Sequence, residues 1–139
     1  MFVTETTVRV HYALTDQMGF VYHGHYAQFY EIARAEAIRG LGITYLDIEA
    51  MGVMMPVVSL QCKFLRPARY DDVLLIKTTL RELPAGSRVS FQHEIFNQQD
   101  ELINTGEVIL HFVNKENLKS CEMPEALKIL CAPFFPEQP

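Results

Sequence analysis

The chain is short of the features that would give it away cheaply. Its 139 residues hold only three cysteines, Cys62, Cys121 and Cys131. Their odd number and lack of C-x-x-C or zinc-ribbon spacing argue against a disulfide framework and for reduced thiols. No run approaches about 18 apolar residues, so no spanning helix is expected. The opening Met-Phe-Val-Thr-Glu-Thr-Thr has neither a basic n-region nor a continuous apolar h-region. These absences together predict a cytoplasmic chain. There is no G-x-S-x-G elbow for a serine triad, and no G-x-G-x-x-G or Walker loop for a nucleotide. Positive charge is also scarce: the net charge of −5 gives no basic field, and nucleic acid is excluded as a partner.

What is present suits one domain over residues 1–139. A chain of this length buries roughly 68–70% of its unfolded surface, enough for a core without metal or disulfides. The composition, 49% apolar and 21% charged, lies in the ordinary globular range. Thr4 to Tyr12 alternates in a β-branched stretch and reads as a strand. Asp16 to Gly19 is turn chemistry. From Tyr22, the positions Tyr26, Phe29, Tyr30, Ala33, Ala37 and Leu41 recur at spacings of three and four, while Gln28, Glu31, Arg34 and Arg39 fall mostly elsewhere. This predicts one long helix stopped by Gly40 or Gly42. A short helical turn is expected at Tyr45 to Met51. Four strands follow, at Val57 to Leu65, Val73 to Leu83, Ser87 to Phe96 and Leu102 to Val113, and their short turns imply an antiparallel meander. A last helix fits Pro124 to Cys131. The layout is α+β, an antiparallel sheet curled round a single helix.

Chemistry concentrates between Thr15 and Tyr26. One acid, Asp16, ends an extended run, a Gly turn follows, and His23 and His25 stand where the helix pattern begins. A carboxylate opposite a helix start can attack a carbonyl or activate water beside it, because free backbone N–H groups there can steady an oxyanion. The plain reading of Asp16, a turn or capping residue, competes with this wherever Thr-Asp-x-x-Gly stands alone. A metal is not expected, because His23 and His25 are two residues apart at a helix start and point to nearly opposite sides.

The run Asp16-Gln17-Met18-Gly19-Phe20-Val21-Tyr22-His23-Gly24-His25-Tyr26 fills every fixed position of Asp-x-x-Gly-x-Val-Tyr-His-x-x-Tyr. With Phe29-Tyr30-Glu31-x-Ala33-Arg34 and Arg66-Pro67-Ala68-Arg69-Tyr70-Asp71-Asp72, it resembles the hotdog fold, in particular the 4-hydroxybenzoyl-CoA thioesterase-like acyl-CoA thioesterases. The resemblance implies a five-stranded antiparallel sheet wrapped around one long central helix. It also implies thioester hydrolysis of an acyl-CoA or aryl-CoA without a cofactor, coenzyme A being part of the substrate, at a site on a dimer interface. Asp16 would then be nucleophile or general base, the backbone at Tyr22 and His23 the oxyanion donors, and the His23 side chain a positioning group. Two departures, Ala13-Leu14 where relatives often carry acids and His25 where a small or amide side chain is usual, touch the pocket wall.

Other candidates carry weaker signals. Gly19, Val21, His25 and Tyr26 belong to the motif and would line the pocket. Glu31 lies eight residues past His23 and could help arrange it, or could be a solvated helix residue. Lys63, Arg66 and Arg69 form a basic group suited to phosphates, and Ser87 and Arg88 open a strand where the same nucleotide could be met. Charged strand ends and an ordinary hairpin explain these equally well. Exposed sheet edges predict a homodimer or homotetramer. Two rival functions remain open: a hotdog hydratase or dehydratase, and a non-catalytic acyl-CoA or acyl-carrier binding module.

Overall fold

A computed structural model describes residues 1–138. Its main sheet has the strand order β1-β4-β5-β6-β3. These strands are β1 (Phe2–Arg9), β3 (Val57–Phe64), β4 (Val73–Leu80), β5 (Arg88–Phe96) and β6 (Leu102–His111), and every pairing between neighbours is antiparallel. A second, two-stranded sheet joins β2 (Val53–Met54) to β7 (Val113–Asn114). The helices are α1 (Tyr26–Gly40), α2 (Tyr45–Ala50) and α3 (Glu125–Cys131). The chain therefore has the expected hotdog layout of five antiparallel strands and one long central helix. Among the described residues no helix is long and apolar enough to cross a membrane.

Alternation explains how the sheet holds the helix. Val89, Phe91, His93 and Ile95 of β5 are all buried, as are Leu74, Ile76 and Thr78 of β4, because residues two apart share a strand face. Against them α1 buries Tyr26, Phe29, Tyr30, Ala33, Arg34, Ala37 and Ile38. The burial of Arg34, at 5% exposure, corrects its expected place off the apolar stripe. Four-residue steps join Tyr26, Tyr30, Arg34 and Ile38 into one row.

Several boundaries differ from expectation. The residues from Tyr22 do not begin an α-helix: His23–His25 form one 3-10 turn, and α1 starts at Tyr26. The first strand runs Phe2–Arg9, not to Tyr12, since the chain turns into a 3-10 segment at Tyr12–Leu14. β4 stops at Leu80 and β6 at His111.

Candidate active site

The loop between β1 and α1 is a small antiparallel clasp. Thr15 bridges Val21, and Phe20 bridges Arg69. The Asp16 amide donates to the Phe20 carbonyl at 2.8 Å and the Gly19 amide to the Asp16 carbonyl at 3.0 Å. Gly19 closes this turn at φ +78°, a conformation that costs a residue with a Cβ. The Asp16 side chain belongs to the same turn, its Oδ1 accepting from the Met18 amide at 2.9 Å and the Phe20 amide at 3.3 Å. The turn reading is right for one oxygen, which fixes the loop, while Oδ2 has no donor among the described residues.

Asp16 is half-buried and lines a cleft of about 310 Å³. Phe20, Val21, His23 and Tyr26 form its near side, and Phe64, Leu65, Arg66 and Pro67 its far side. The His23 ring lies 6.4 Å from Phe64, edge on, and 4.3 Å from Tyr22. Tyr26 is buried, and burial, aided by the nearby Cys62 thiol, pushes its hydroxyl up to about 12, so it stays a neutral phenol at physiological pH. The expectation of free amides at both Tyr22 and His23 holds only in part. The Tyr22 amide already donates to the Leu14 carbonyl at 2.9 Å. As openers of the 3-10 turn, His23 and Gly24 carry amides without an acceptor inside it. His23 and Gly24, not Tyr22, have N–H groups to offer.

The remaining predicted residues divide. Gly19 and Val21 shape the clasp, and His25 is half-buried 5.8 Å from the Tyr22 ring. Arg69 lies over the Phe20 ring at 5.2 Å, and Arg66, on the cleft wall, pairs with Glu101 at 3.2 Å. The others are not brought to Asp16 within the chain. Glu31 borders a separate cavity with Arg34 and Tyr45. Lys63 borders a shallow hollow with Gln61, Thr105 and Glu107. Arg88 lines a third hollow at the β4–β5 hairpin, and the neighbouring Ser87 carbonyl accepts from the Phe112 amide at 2.7 Å. Among the described residues no three His, Cys, Asp or Glu side chains cluster as a metal site would require.

A buried polar row behind the cleft was not foreseen. The Tyr30 hydroxyl donates to Asn104 Oδ1 and lies 3.2 Å from Cys62 Sγ. Its ring stacks on His93 with centroids 4.6 Å apart, and His93 Nδ1 pairs with Thr78 Oγ1 at 3.0 Å. Burial, reinforced by the Arg34 charge, lowers His93 to about 3. The sequence signals were His93, alternating with Val89, Phe91 and Ile95 on one strand face, and Asn104 beside Ile103, each too common a sight to point to a shared row.

Known proteins resemble this chain in sequence and fold. The family described as the thioesterase superfamily matches residues 18–104. YbgC of Escherichia coli O6:H1, named an acyl-CoA thioester hydrolase, is 33% identical over 120 residues, covering 86% of this chain and 89% of that protein. YneP of Bacillus subtilis, provisionally named an acyl-CoA thioesterase, is 32% identical over 126 residues, 91% of each chain. The solved DHNA-CoA thioesterase of Staphylococcus aureus superposes with a TM-score of 0.83 at 31% identity, over 99% of this chain and 86% of that one.

Proposed function

The chain belongs to the thioesterase superfamily, and from that premise we propose that it hydrolyses the thioester of an acyl-CoA in the Asp16 cleft. The observation that carries this reading is the division of labour in one carboxylate: Oδ1 is tied down by two backbone amides while Oδ2 is left without a donor at the cleft wall. A group so held keeps its orientation without loss of freedom on reaction, which is what positioning contributes to catalysis. Two routes fit. As nucleophile, Oδ2 attacks the carbonyl carbon, the coenzyme A thiolate leaves, and water opens the resulting mixed anhydride to carboxylic acid and Asp16. As general base, it takes a proton from the water that attacks the carbonyl carbon directly, and the coenzyme A thiolate leaves as the C–S bond breaks. Either route develops negative charge on the carbonyl oxygen, for which the His23 and Gly24 amides are the available donors.

Arg69 and Arg66, beside the cleft, are suited to the phosphates of the substrate, with Arg66 partly neutralised by Glu101. The cleft is walled on one side by Phe64 and Leu65, which are 51% and 48% exposed. A second copy covering them would complete it, and the active form is accordingly a dimer. The test is thiol release from short, long and aryl acyl-CoA substrates. Asp16→Asn should lower kcat/KM by about 10²–10⁴-fold, the usual worth of a positioned base. Unchanged turnover of every hydrolysed substrate in that variant would overturn the assignment.

A further inference from the structure

Tyr22 stands beside the Asp16 cleft without lining it. Its main chain is fixed on both sides: the amide donates to the Leu14 carbonyl at 2.9 Å, and the carbonyl accepts from the His25 amide at 3.0 Å. With the backbone held at φ −59°, ψ 132°, only the two side-chain torsions decide where the ring lies. It lies over Gly24. A Cβ built on that glycine would stand 2.6 Å from Tyr22 Cε2, 3.1 Å from Cδ2 and 3.6 Å from Cζ, the three nearest atoms outside the adjoining residues. The backbone does not ask for glycine there, since the glycines at positive φ are Gly19, Gly42 and Gly52. In a helical turn glycine is less favourable than alanine, so the close approach of the ring is what calls for it.

The same ring meets two imidazoles. Its centroid is 4.3 Å from that of His23, tilted by 41°, and 5.8 Å from that of His25, edge on at 76°, both within the range of favourable aromatic contacts. His23 carries the contact into the cleft, where it stands with Asp16 and meets Phe64 edge on at 6.4 Å. Tyr22 therefore touches both parts of the turn that hydrolysis would use, the His23 imidazole and the backbone at Gly24, without itself reaching the cleft. The contacts are made by the face and edge of the ring, not by its hydroxyl. The ring is 46% exposed and so adds little to the core.

We propose that Tyr22 is a positioning residue of the reaction, its ring clamping Gly24 and the His23 imidazole so that the amides and the imidazole keep the geometry a reacting thioester needs. This rests on the hydrolysis reading above and adds to it a side chain that does not touch the substrate. Its effect belongs to the transition state. Small displacements of preorganised donors weaken the stabilisation of developing charge, while the contacts that bind coenzyme A stay in place.

Steady-state thiol release by the full chain, on one hydrolysed acyl-CoA, tests the role through a double-mutant cycle. Tyr22→Ala removes the ring. Gly24→Ala drives it away, since the crowding atoms belong to an exposed side chain that can swing into solvent. Each should lower kcat about tenfold or more and leave KM within about threefold, the pattern of an interaction made only in the transition state. Once Tyr22→Ala is present, Gly24→Ala should cost nothing further, because the added methyl group no longer meets a ring. Tyr22→Phe keeps the ring and should restore kcat to within about twofold of the unaltered chain. Melting temperatures should stay within about 4 °C throughout, as for a surface substitution. Should Tyr22→Ala fail to fold by circular dichroism, Gly24→Ala and Tyr22→Phe decide, since both retain an aromatic side chain at 22. Unchanged kcat in the alanine variants, whether or not KM rises, or additive losses in the double variant, would overturn the role of the ring and leave the hydrolysis reading standing. Release of no thiol by the unaltered chain from any acyl-CoA would overturn both.

Discussion

Gly106 of β6 lies under the ring of Tyr30, and a methyl group built on it would overlap Cε2, Cζ and the hydroxyl oxygen. Tyr30 cannot retreat, because it is fully buried, stacked on His93 and bonded to Asn104. Gly106→Ala should therefore cost about 1–3 kcal/mol, the usual penalty for forcing volume into a packed core, read as a lower urea midpoint. His93 makes a second prediction at this scale. Its folded pKa of about 3 lies below the ordinary value near 6.5, so between those two values the unfolded chain binds the extra proton. Stability is complete above about pH 6.5 and falls as pH drops toward 3, with this group contributing a slope of up to ~1.4 kcal/mol per pH unit. Urea unfolding from pH 4 to 7 should show that slope, reduced in a folded His93→Gln variant. The Asp16 turn was legible because it is contiguous in sequence, acid and turn glycine following one another before Phe20. Arg34 was not, because a charged residue one step off the apolar stripe reads as solvated until the sheet is seen to cover it.

The elements whose limits were legible carry their own stop signals, and the others take theirs from distant partners. α1 ends at Gly40 as its glycines suggest. Its start was misread because Tyr22 is held extended at φ −59°, ψ 132°, its amide tied to Leu14 and that of Val21 to the Ala68 carbonyl. No helix can begin until the chain leaves those bonds, and Leu14 and Ala68 are not adjacent in sequence to what they hold. β1 likewise begins at Phe2 because Leu80 lies opposite it. It ends early because the Val10 amide goes to Asp72 across the loop. The short helix α2 is the contrary case, closed by a purely local device. Thr44 Oγ1 accepts from the Asp47 amide at 3.1 Å and Asp47 Oδ2 from the Thr44 amide at 2.9 Å, a reciprocal capping box. Thr44→Ala should remove about 1 kcal/mol of stability, measurable by thermal denaturation.

For the molecule as a whole, the deciding feature is where the helix stops covering the sheet. Leu60, Cys62 and Phe64 of β3 lie opposite Val108, Gly106 and Asn104 of β6 and so share the face that packs on α1. Val108 and Asn104 are buried, yet Leu60 is 47% and Phe64 51% exposed. Val57 and Val58, at 50% and 53%, continue this apolar edge. An uncovered, apolar edge strand with free backbone groups is a template for pairing with another chain. In a two-fold dimer joined edge to edge along β3, antiparallel pairing would lay the Val57 end of one copy beside the Phe64 end of the other. Each Asp16 cleft would then gain its missing wall from the partner. Leu60→Lys places a charge in the middle of that seam while leaving the buried core untouched. Sedimentation velocity at micromolar concentration should find the unaltered chain dimeric and this variant largely monomeric. Thiol release should fall with assembly, by about tenfold or more, while circular dichroism stays unchanged. A monomeric unaltered chain, or a monomeric variant with full activity, would show that the cleft works with one wall and that the exposed edge serves something else.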